Sequence, residues 1–179
     1  CGLCGKASLE AIQKQCPETP FAEIDWSVSP EWLTSLPESA RKAQSVFDHT
    51  GGLHACALFQ PQGNLMLIRE DIGRHNALDK IIGASFVSPD MDLKQSVLFL
   101  SGRAGFELIQ KAAMTGIRFV AAVGAPSSLA ARLAQDMGIT LVGFLRDQRF
   151  NIYSGEKRIS SSTKIIYNVF KQISTHLWQ

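Results

Sequence analysis

Short apolar runs alternate with amphipathic stretches through the middle of the chain. The segment from His54 to Gln60 has the pattern of a strand, with Cys56 inside an apolar run. Pro61-Gln62-Gly63-Asn64 has turn chemistry, and the apolar residues from Leu65 to Ile68 follow it. These patterns together predict a β-hairpin.

Continuous apolar runs after the hairpin predict strands buried on both faces. They are Ser96–Leu100 and Phe119–Val123. Ile139–Leu145 and Phe150–Tyr153 are predicted as the strands that follow. Helical periodicity separates them at Arg74–Ile82 (with Gly83 as its cap), Gly105–Thr115 and Ser127–Met137. Strands and helices that alternate over short connections predict an α/β fold, a three-layer sandwich in which helices flank a mixed sheet.

The two ends of the chain add further elements. Ser29-Pro30-Glu31 is a helix start, with a hydroxyl cap and proline at the first position, and Pro37 is predicted to restart that helix. Apolar residues at helical spacing predict a helix from Thr163 to Leu177. We therefore divide the chain into a cysteine loop and connector (1–28), a core domain (29–160) and a C-terminal helix (161–179). Because the first residue is Cys rather than Met, we expect a further N-terminal segment upstream.

Composition narrows the class of protein. The 179 residues are 45% hydrophobic and 19% charged, which is typical of one globular domain. A formal net charge of +2 argues against general nucleic-acid binding, and no apolar run approaches the ~18 residues of a membrane span. The four cysteines do not resemble the disulfide framework of a small secreted protein, so we predict a cytoplasmic location.

Polar residues that a core would not need cluster where predicted strands end. They lie in the segments 48–54, 69–76 and 101–107. Two of these segments lead into helices through an arginine and a glycine, and free amides with a positive helix dipole favour anions. We predict an anion-binding pocket formed by Asp71, Arg74, His75, Ser101 and Arg103. Asp71 as a simple helix cap, and His54 as a core histidine, remain open alternatives.

The first five residues, CGLCG, hold two thiols three positions apart with a glycine after each. Cys1 and Cys4 are compatible with redox chemistry, with transfer of a sulfur atom, or with metal binding. A structural zinc site needs about four ligands, and this is the one C-x-x-C in the sequence. We therefore expect no zinc or other metal, while redox and sulfur-transfer chemistry both remain open.

Six segments taken in order resemble the FdhD family of formate dehydrogenase accessory proteins: CGLCG, TGGLHACAL, REDIGRHNALDKIIG, SGRAGFELIQKAAMTGI, APSSLAARLA and ITLVGFLRDQRFNIYSG. The resemblance runs from Cys1 to about Ser154 and implies a fold similar to that of cytidine deaminases. It also implies a sulfurtransferase that receives persulfide sulfur from a cysteine desulfurase, with Cys1 as the carrier and Cys4 as its partner.

The resemblance further implies the recipient of the sulfur. This is the molybdenum cofactor in its bis-molybdopterin guanine dinucleotide form, on its way to formate dehydrogenase. The cofactor-binding stretch of the family matches Phe144, Leu145, Arg146, Asp147, Gln148 and Arg149, and we expect a homodimer with no nucleic-acid or membrane partner. The five pocket residues given above are inferred from position rather than from the resemblance.

Two other functions compete with this interpretation. A non-enzymatic chaperone that binds and delivers the cofactor would share the pocket without needing the thiols. A nucleotide-processing enzyme on a deaminase-like scaffold is the second, but zinc deaminases need H-x-E and P-C-x-x-C at two helix starts. The corresponding helix starts here are GRHNA and SGRAG, so deaminase chemistry is not expected.

Overall fold

A computed structural model describes residues 25–88, 91–161 and 166–169. In this part of the chain, seven strands form one mixed sheet in the order β2-β1-β3-β4-β5-β6-β7. The strands are β1 His54–Phe59, β2 Leu65–Asp71, β3 Val97–Leu100, β4 Phe119–Ala122, β5 Thr140–Arg146, β6 Arg149–Ser154 and β7 Ile166–Val169. The longer helices are α1 Pro30–Ala43, α2 Arg74–Phe86, α3 Phe106–Met114 and α4 Ser128–Asp136. Shorter helical segments are Phe47–Thr50, Leu93–Gln95 and Glu156–Arg158.

Strand directions bring the predicted polar segments to one end of the sheet. Strands β3, β4 and β5 are parallel, while β1 is antiparallel to both β2 and β3. His54 at the start of β1 is opposite Asp71 at the end of β2, and Cys56 is opposite Leu100. The beginning of β1 and the ends of β2, β3, β4 and β5 therefore share one end of the sheet, which we call the carboxyl end.

Successive strand residues pack into two separate cores, as the alternation of side chains along a strand requires. Leu98 and Val120 belong to the core beneath α2, α3 and α4. Phe99 and Ala121, their neighbours in sequence, belong to the core beneath α1. This confirms the predicted α/β sandwich with a mixed sheet between helices. The likeness to cytidine deaminases stays a prediction.

The first helix begins where the sequence predicted. The Ser29 hydroxyl oxygen accepts a hydrogen bond of 3.2 Å from the Trp32 amide, which caps the free end of α1. The predicted restart at Pro37 is wrong, because α1 continues unbroken through that residue. Its buried residues Leu33, Leu36 and Ala40 dock both halves of the helix on the sheet, and this packing offsets the hydrogen bond that proline cannot donate.

Gly83 does not cap α2, as was predicted, because the helix continues to Phe86. Its backbone is not in the left-handed region, and a methyl group at its Cα would meet no atom within 4 Å apart from its sequence neighbours and the backbone of its own helix. Burial of Ala77, Leu78 and Ile81 holds the helix through this position despite the low helix propensity of glycine.

We therefore expect Gly83→Ala to stabilise the protein by about 0.5–1 kcal/mol, since alanine loses less backbone entropy in a helix. The free energy of unfolding in urea, compared between the two proteins, measures the change. A loss of stability would show that the helix does not pass through this residue.

The predicted C-terminal helix is wrong over Ile166–Val169, which is a strand parallel to β6. This pairing covers backbone donors and acceptors of β6 that would otherwise form an open sheet edge. The helical spacing of the apolar residues between Thr163 and Leu177 could not indicate that β6 has an unpaired edge. The remainder of the predicted helix, and Cys1 and Cys4, lie outside the described residues.

No helix in the described part of the chain is long and apolar enough to cross a lipid bilayer.

Candidate functional site

A cleft of about 540 Å³ lies at the carboxyl end of the sheet, beyond β3 and β4. Ligands of open α/β sheets bind beyond the carboxyl ends of the strands, which is where this cleft lies. Three segments supply its walls: the start of α2, the loop from β3 into α3, and the loop from β4 into α4. The lining residues are Arg74, Arg103, Ala104, Gly105, Phe106, Glu107, Ala125, Pro126, Ser127 and Leu129.

Two of the predicted residues, Arg74 and Arg103, meet in this cleft. Neither forms an ion pair with any residue of the described ranges. The Arg74 Nε atom is also buried without a hydrogen-bond partner in this part of the chain. A buried donor without an acceptor is costly, and guanidinium groups bind phosphate oxygens in pairs. The arrangement suits an anionic ligand that supplies the missing acceptors.

The loop that holds Arg103 is tied down through its backbone. The amide of Gly124 donates to the Gly102 carbonyl oxygen at 3.0 Å, and the amide of Ala104 donates to the Ala125 carbonyl oxygen at 3.2 Å. The predicted residue Ser101 faces the other way, since its hydroxyl oxygen accepts from the amide of Ala55 at 2.8 Å. Ser101 thus joins the loop to β1 and does not line the cleft.

Asp71 stands beside the cleft but is not one of its lining residues. Its Oδ1 accepts from the Gly73 amide at 2.9 Å and from Asn76 Nδ2 at 3.2 Å, and its Oδ2 lies 2.6 Å from Lys80 Nζ. The hydrogen bond from Lys80, followed by that from Gly73, lowers the pKa of Asp71 to about 2. These contacts favour the capping alternative, in which Asp71 holds the start of α2 and thereby positions Arg74.

This lowered pKa predicts how stability depends on acid. The folded state favours ionised Asp71 relative to the unfolded chain, whose reference value is 3.8, so its contribution is present above about pH 4. The contribution is lost as the pH falls through about 2. Urea unfolding should therefore show Asp71→Asn less stable than the parent at pH 6, with the difference shrinking between about pH 4 and pH 2. A difference independent of pH would contradict this assignment.

His75 follows Arg74 at the start of α2, and its side chain is about one quarter exposed. Burial, and then the charge of Arg74, lower the pKa of His75, so the imidazole is neutral at neutral pH. Its Nε2 is buried without a hydrogen-bond partner in the described ranges and lies 4.0 Å from Glu107 Oε2. His75 was predicted to form the pocket, but it is not among the residues that line the cleft and is adjacent to it through Arg74 and Glu107.

The predicted cofactor stretch Phe144–Arg149 forms the hairpin between β5 and β6. Asp147 and Gln148 both have positive φ (51° and 58°), which matches a type I′ turn. Phe144 also has a φ of 53°, at a bulge in β5, and its amide donates to the Gly124 carbonyl oxygen at 3.2 Å. A bulky residue in this region is strained, and such strain is found at functional sites.

The hairpin thus packs against the loop that lines the cleft without lining it itself. Arg146, Asp147, Gln148 and Arg149 are all exposed, and the closest charged contact between them, from Asp147 to Arg149, is 4.0 Å. Arg146 and Arg149 therefore place positive charge at the carboxyl end of the sheet, beside the cleft.

The third predicted segment, 48–54, reaches the carboxyl end on the opposite face of the sheet. Its residues Gly51, Gly52, Leu53 and His54 line a second cavity of about 490 Å³, together with Pro37, Arg41, Gln44, Phe47, Phe99, Ser101 and Val123. The imidazole of His54 packs against Gly102, where an added methyl group would lie 3.2 Å from Nδ1. The sheet therefore divides the predicted polar residues between two cavities.

Sequence reasoning missed two parts of the cleft. The loop from Gly124 to Leu129 follows a buried strand, as the loop with Arg103 does, but only the helix beginning at Ser127 was predicted there. Glu107 lies in the polar segment 101–107 but is not one of the predicted pocket residues, and an acidic residue in a helix's first turn is common. Within the described residues, no group of three or more His, Cys, Asp or Glu side chains could hold a metal ion.

A family model and individual relatives place this chain among the same group of proteins. A family model described as the FdhD/NarQ family matches residues 1–160. "Sulfur carrier protein FdhD" of Streptomyces avermitilis is 55% identical over 160 residues, which cover 89% of this chain and 57% of that protein. The protein of the same name from Saccharolobus solfataricus is 42% identical over 159 residues, covering 89% and 59%.

A solved structure is similar as well. The crystal structure of a protein assigned as a formate dehydrogenase accessory protein, from Desulfotalea psychrophila, matches with a TM-score of 0.70 at 30% identity. The match covers 78% of this chain and 60% of the other. Our chain spans a little more than half the length of the curated relatives that it matches.

Proposed function

The chain belongs to the FdhD/NarQ family, and from that premise we propose that it carries sulfur for the maturation of formate dehydrogenase. It would accept persulfide sulfur from a cysteine desulfurase and transfer it to bis-molybdopterin guanine dinucleotide, its substrate. Relatives named as sulfur carriers support the role in carrying sulfur. A related structure assigned as a formate dehydrogenase accessory protein supports the link to formate dehydrogenase. The homodimer and the cytoplasmic location remain predictions.

The observation that carries this proposal is the arginine cleft. Arg74 and Arg103 line a cavity of about 540 Å³, within the range of small-molecule sites, and have no carboxylate partner among the described residues. The proposed substrate contains diphosphate groups, and each diphosphate presents acceptors that match paired guanidinium donors. The exposed arginines of the β5–β6 hairpin add positive charge at the rim and favour the approach of an anion.

The proposed chemistry begins at Cys1. Its thiolate attacks the outer sulfur of the desulfurase persulfide, the sulfur–sulfur bond breaks, and the desulfurase thiolate leaves. One sulfur–sulfur bond replaces another, so no external oxidant or reductant is consumed. Cys4, three residues further on, is the thiol proposed to stabilise the sulfur or to release it to the bound substrate. In the release, the Cys4 thiolate attacks the inner sulfur on Cys1, the Cys1–Cys4 disulfide forms, and the outer sulfur leaves as hydrosulfide for the substrate, so the two cysteines supply both electrons.

The covalent length of the chain permits delivery to the cleft. Trp26 stacks on Phe119, the first residue of β4, at a ring distance of 6.0 Å, so Asp25 enters at the end of the sheet opposite the cleft. Strands of four to seven residues separate the two ends by about 13–23 Å. Twenty-one residues lead from Cys4 to Asp25, and a chain of that length can extend to roughly 70 Å.

Intact-mass spectrometry tests the proposal. Incubation with an active cysteine desulfurase and cysteine should add the mass of one sulfur atom, and peptide mapping should locate it on Cys1 or Cys4. Cys56 is an internal control, because it is buried and burial raises the pKa of its thiol to about 12, which leaves almost no thiolate to react. The Cys1→Ala/Cys4→Ala double variant should take up no sulfur.

The outcomes separate this function from delivery alone. A protein that only binds and delivers the cofactor would still bind GDP, a fragment of that cofactor, but it would gain no sulfur. Absence of an adduct with an active desulfurase would therefore reject sulfur transfer while leaving the cleft in place. An adduct on Cys56 in the folded protein would indicate nonspecific loading and would equally count against the proposal.

A further inference from the structure

The cationic cleft contains one acidic side chain, that of Glu107, among the residues that line it. Glu107 lies in the first turn of α3 and lines the cleft together with Arg74 and Arg103. A methyl group placed on Gly105 would come within 3.3 Å of Glu107 Oε2 and 4.0 Å of Arg74 Nη2. The carboxylate and the Arg74 guanidinium therefore approach the same point, and the absence of a side chain at residue 105 leaves that point accessible.

The local structure makes little use of this carboxylate. The N-cap of α3 is Gly105, which has no capping side chain, and Glu107 accepts no hydrogen bond from a residue of the described ranges. Its closest charged contact is His75 Nε2 at 4.0 Å, which is beyond hydrogen-bonding distance. Because His75 is neutral at neutral pH for the reasons given above, the two side chains do not form an ion pair.

An acidic group in an anion site lowers affinity unless the ligand brings donors to it. A carboxylate accepts two parallel hydrogen bonds from adjacent N–H groups, as it does from arginine. A ligand with phosphate groups can offer such a pair on a heterocyclic base, where a ring N–H stands next to an exocyclic amino group. Phe106 and Pro126 supply apolar cleft wall that a planar ring can contact.

Building on the function proposed above, we propose that Glu107 determines specificity by accepting hydrogen bonds from the edge of a heterocycle that carries a ring N–H beside a 2-amino group. In this arrangement Arg74 and Arg103 bind the diphosphate attached to that heterocycle. Guanine and pterin share this edge, and the proposed substrate contains both. Glu107 thereby converts a general anion site into one that discriminates among nucleotides.

Binding measurements on the full chain test this role with four probes: GDP, IDP (which lacks the 2-amino group), 6-hydroxymethylpterin diphosphate and inorganic pyrophosphate. Glu107→Gln should lower the affinity for the recognised ligand at least tenfold, because glutamine presents an amide donor where an acceptor is needed. Its affinity for pyrophosphate should stay the same or rise, which also shows that the variant is folded. Glu156→Gln, an exposed site remote from the cleft, is the matched control and should change nothing.

The probes also show which heterocycle, guanine or pterin, donates its hydrogen bonds to Glu107. A tenfold loss for GDP, together with loss of the preference for GDP over IDP, assigns it to guanine, and a tenfold loss confined to pterin diphosphate assigns it to pterin. Unchanged affinities of Glu107→Gln for both overturn the role of Glu107, while sulfur loading and pyrophosphate binding would still support the function proposed above. If the parent protein binds none of the four probes, the cleft is not the substrate site and both proposals fail there.

Discussion

Replacing Arg74 and Arg103 together by glutamine is expected to weaken GDP binding by about 100-fold or more. Each guanidinium would lose a charge-assisted hydrogen bond worth about 1.5 kcal/mol at the low end for such bonds, and about 1.4 kcal/mol corresponds to tenfold in affinity. Neither side chain has an ionic partner among the described residues, so the substitutions break no internal ion pair. Isothermal titration calorimetry at low and at physiological salt measures the loss.

A control with the same change in net charge is available elsewhere. Arg132→Gln/Lys157→Gln removes two exposed positive charges that do not line the cleft, and it should alter GDP affinity by less than about threefold through long-range attraction alone. If the two double variants weaken binding equally, the effect is general electrostatic attraction, and the cleft has no specific role. Retained GDP affinity in the Arg74/Arg103 variant would reject the cleft as the diphosphate site.

Gly124→Ala is expected to destabilise the fold and to abolish anion binding together. The added methyl carbon would lie 2.9 Å from both the amide nitrogen and the Cα of Arg103, and 3.0 Å from the carbonyl carbon of Gly102. All three atoms belong to the backbone, so no side-chain rotation can relieve the clash, and the loop that holds Arg103 must move. Overpacking of this kind costs about 1–3 kcal/mol.

The unfolding midpoint in urea and the GDP dissociation constant together test this expectation. Gly52→Ala is a matched control, because its methyl group would meet one atom within 4 Å, the Thr50 carbonyl oxygen at 3.8 Å, and should alter stability by less than about 0.5 kcal/mol. A Gly124→Ala protein with parental stability and GDP affinity would show that the two loops are not in close contact.

Local patterns predicted most elements because each strand and helix has a periodicity that its own residues express. The buried runs at Val97–Leu100 and Phe119–Ala122 and the capped start of α1 needed no distant contact to be recognised. Predictions failed where a neighbour in space overrode the local signal. Packing of α1 on the sheet carried it through Pro37, and β6 recruited Ile166–Val169 as a strand.

The candidate site divides in the same way. The rule that polar residues after parallel strands converge at one end of the sheet was enough to select Arg74 and Arg103, which do meet in one cleft. It could not place Ser101 and His54, because whether a side chain at a strand end faces one side of the sheet or the other depends on the pleat and register of the neighbouring strands. Ser101 was therefore predicted in one pocket with Arg74 and Arg103, although it lines the cavity on the opposite face of the sheet.

The amino-acid sequence by itself determined the family, the α/β class and the pairing of basic residues with helix starts, since these are properties of residue order and local periodicity. Only the tertiary structure decided that Glu107 stands with Arg74 and Arg103 in the cleft, that Asp71 is occupied in holding α2, and that Gly124 admits no side chain. The physical reason is that each of these facts concerns the distance between atoms on separate loops. Such distances are set by how strands pair and helices pack, which no single stretch of sequence contains.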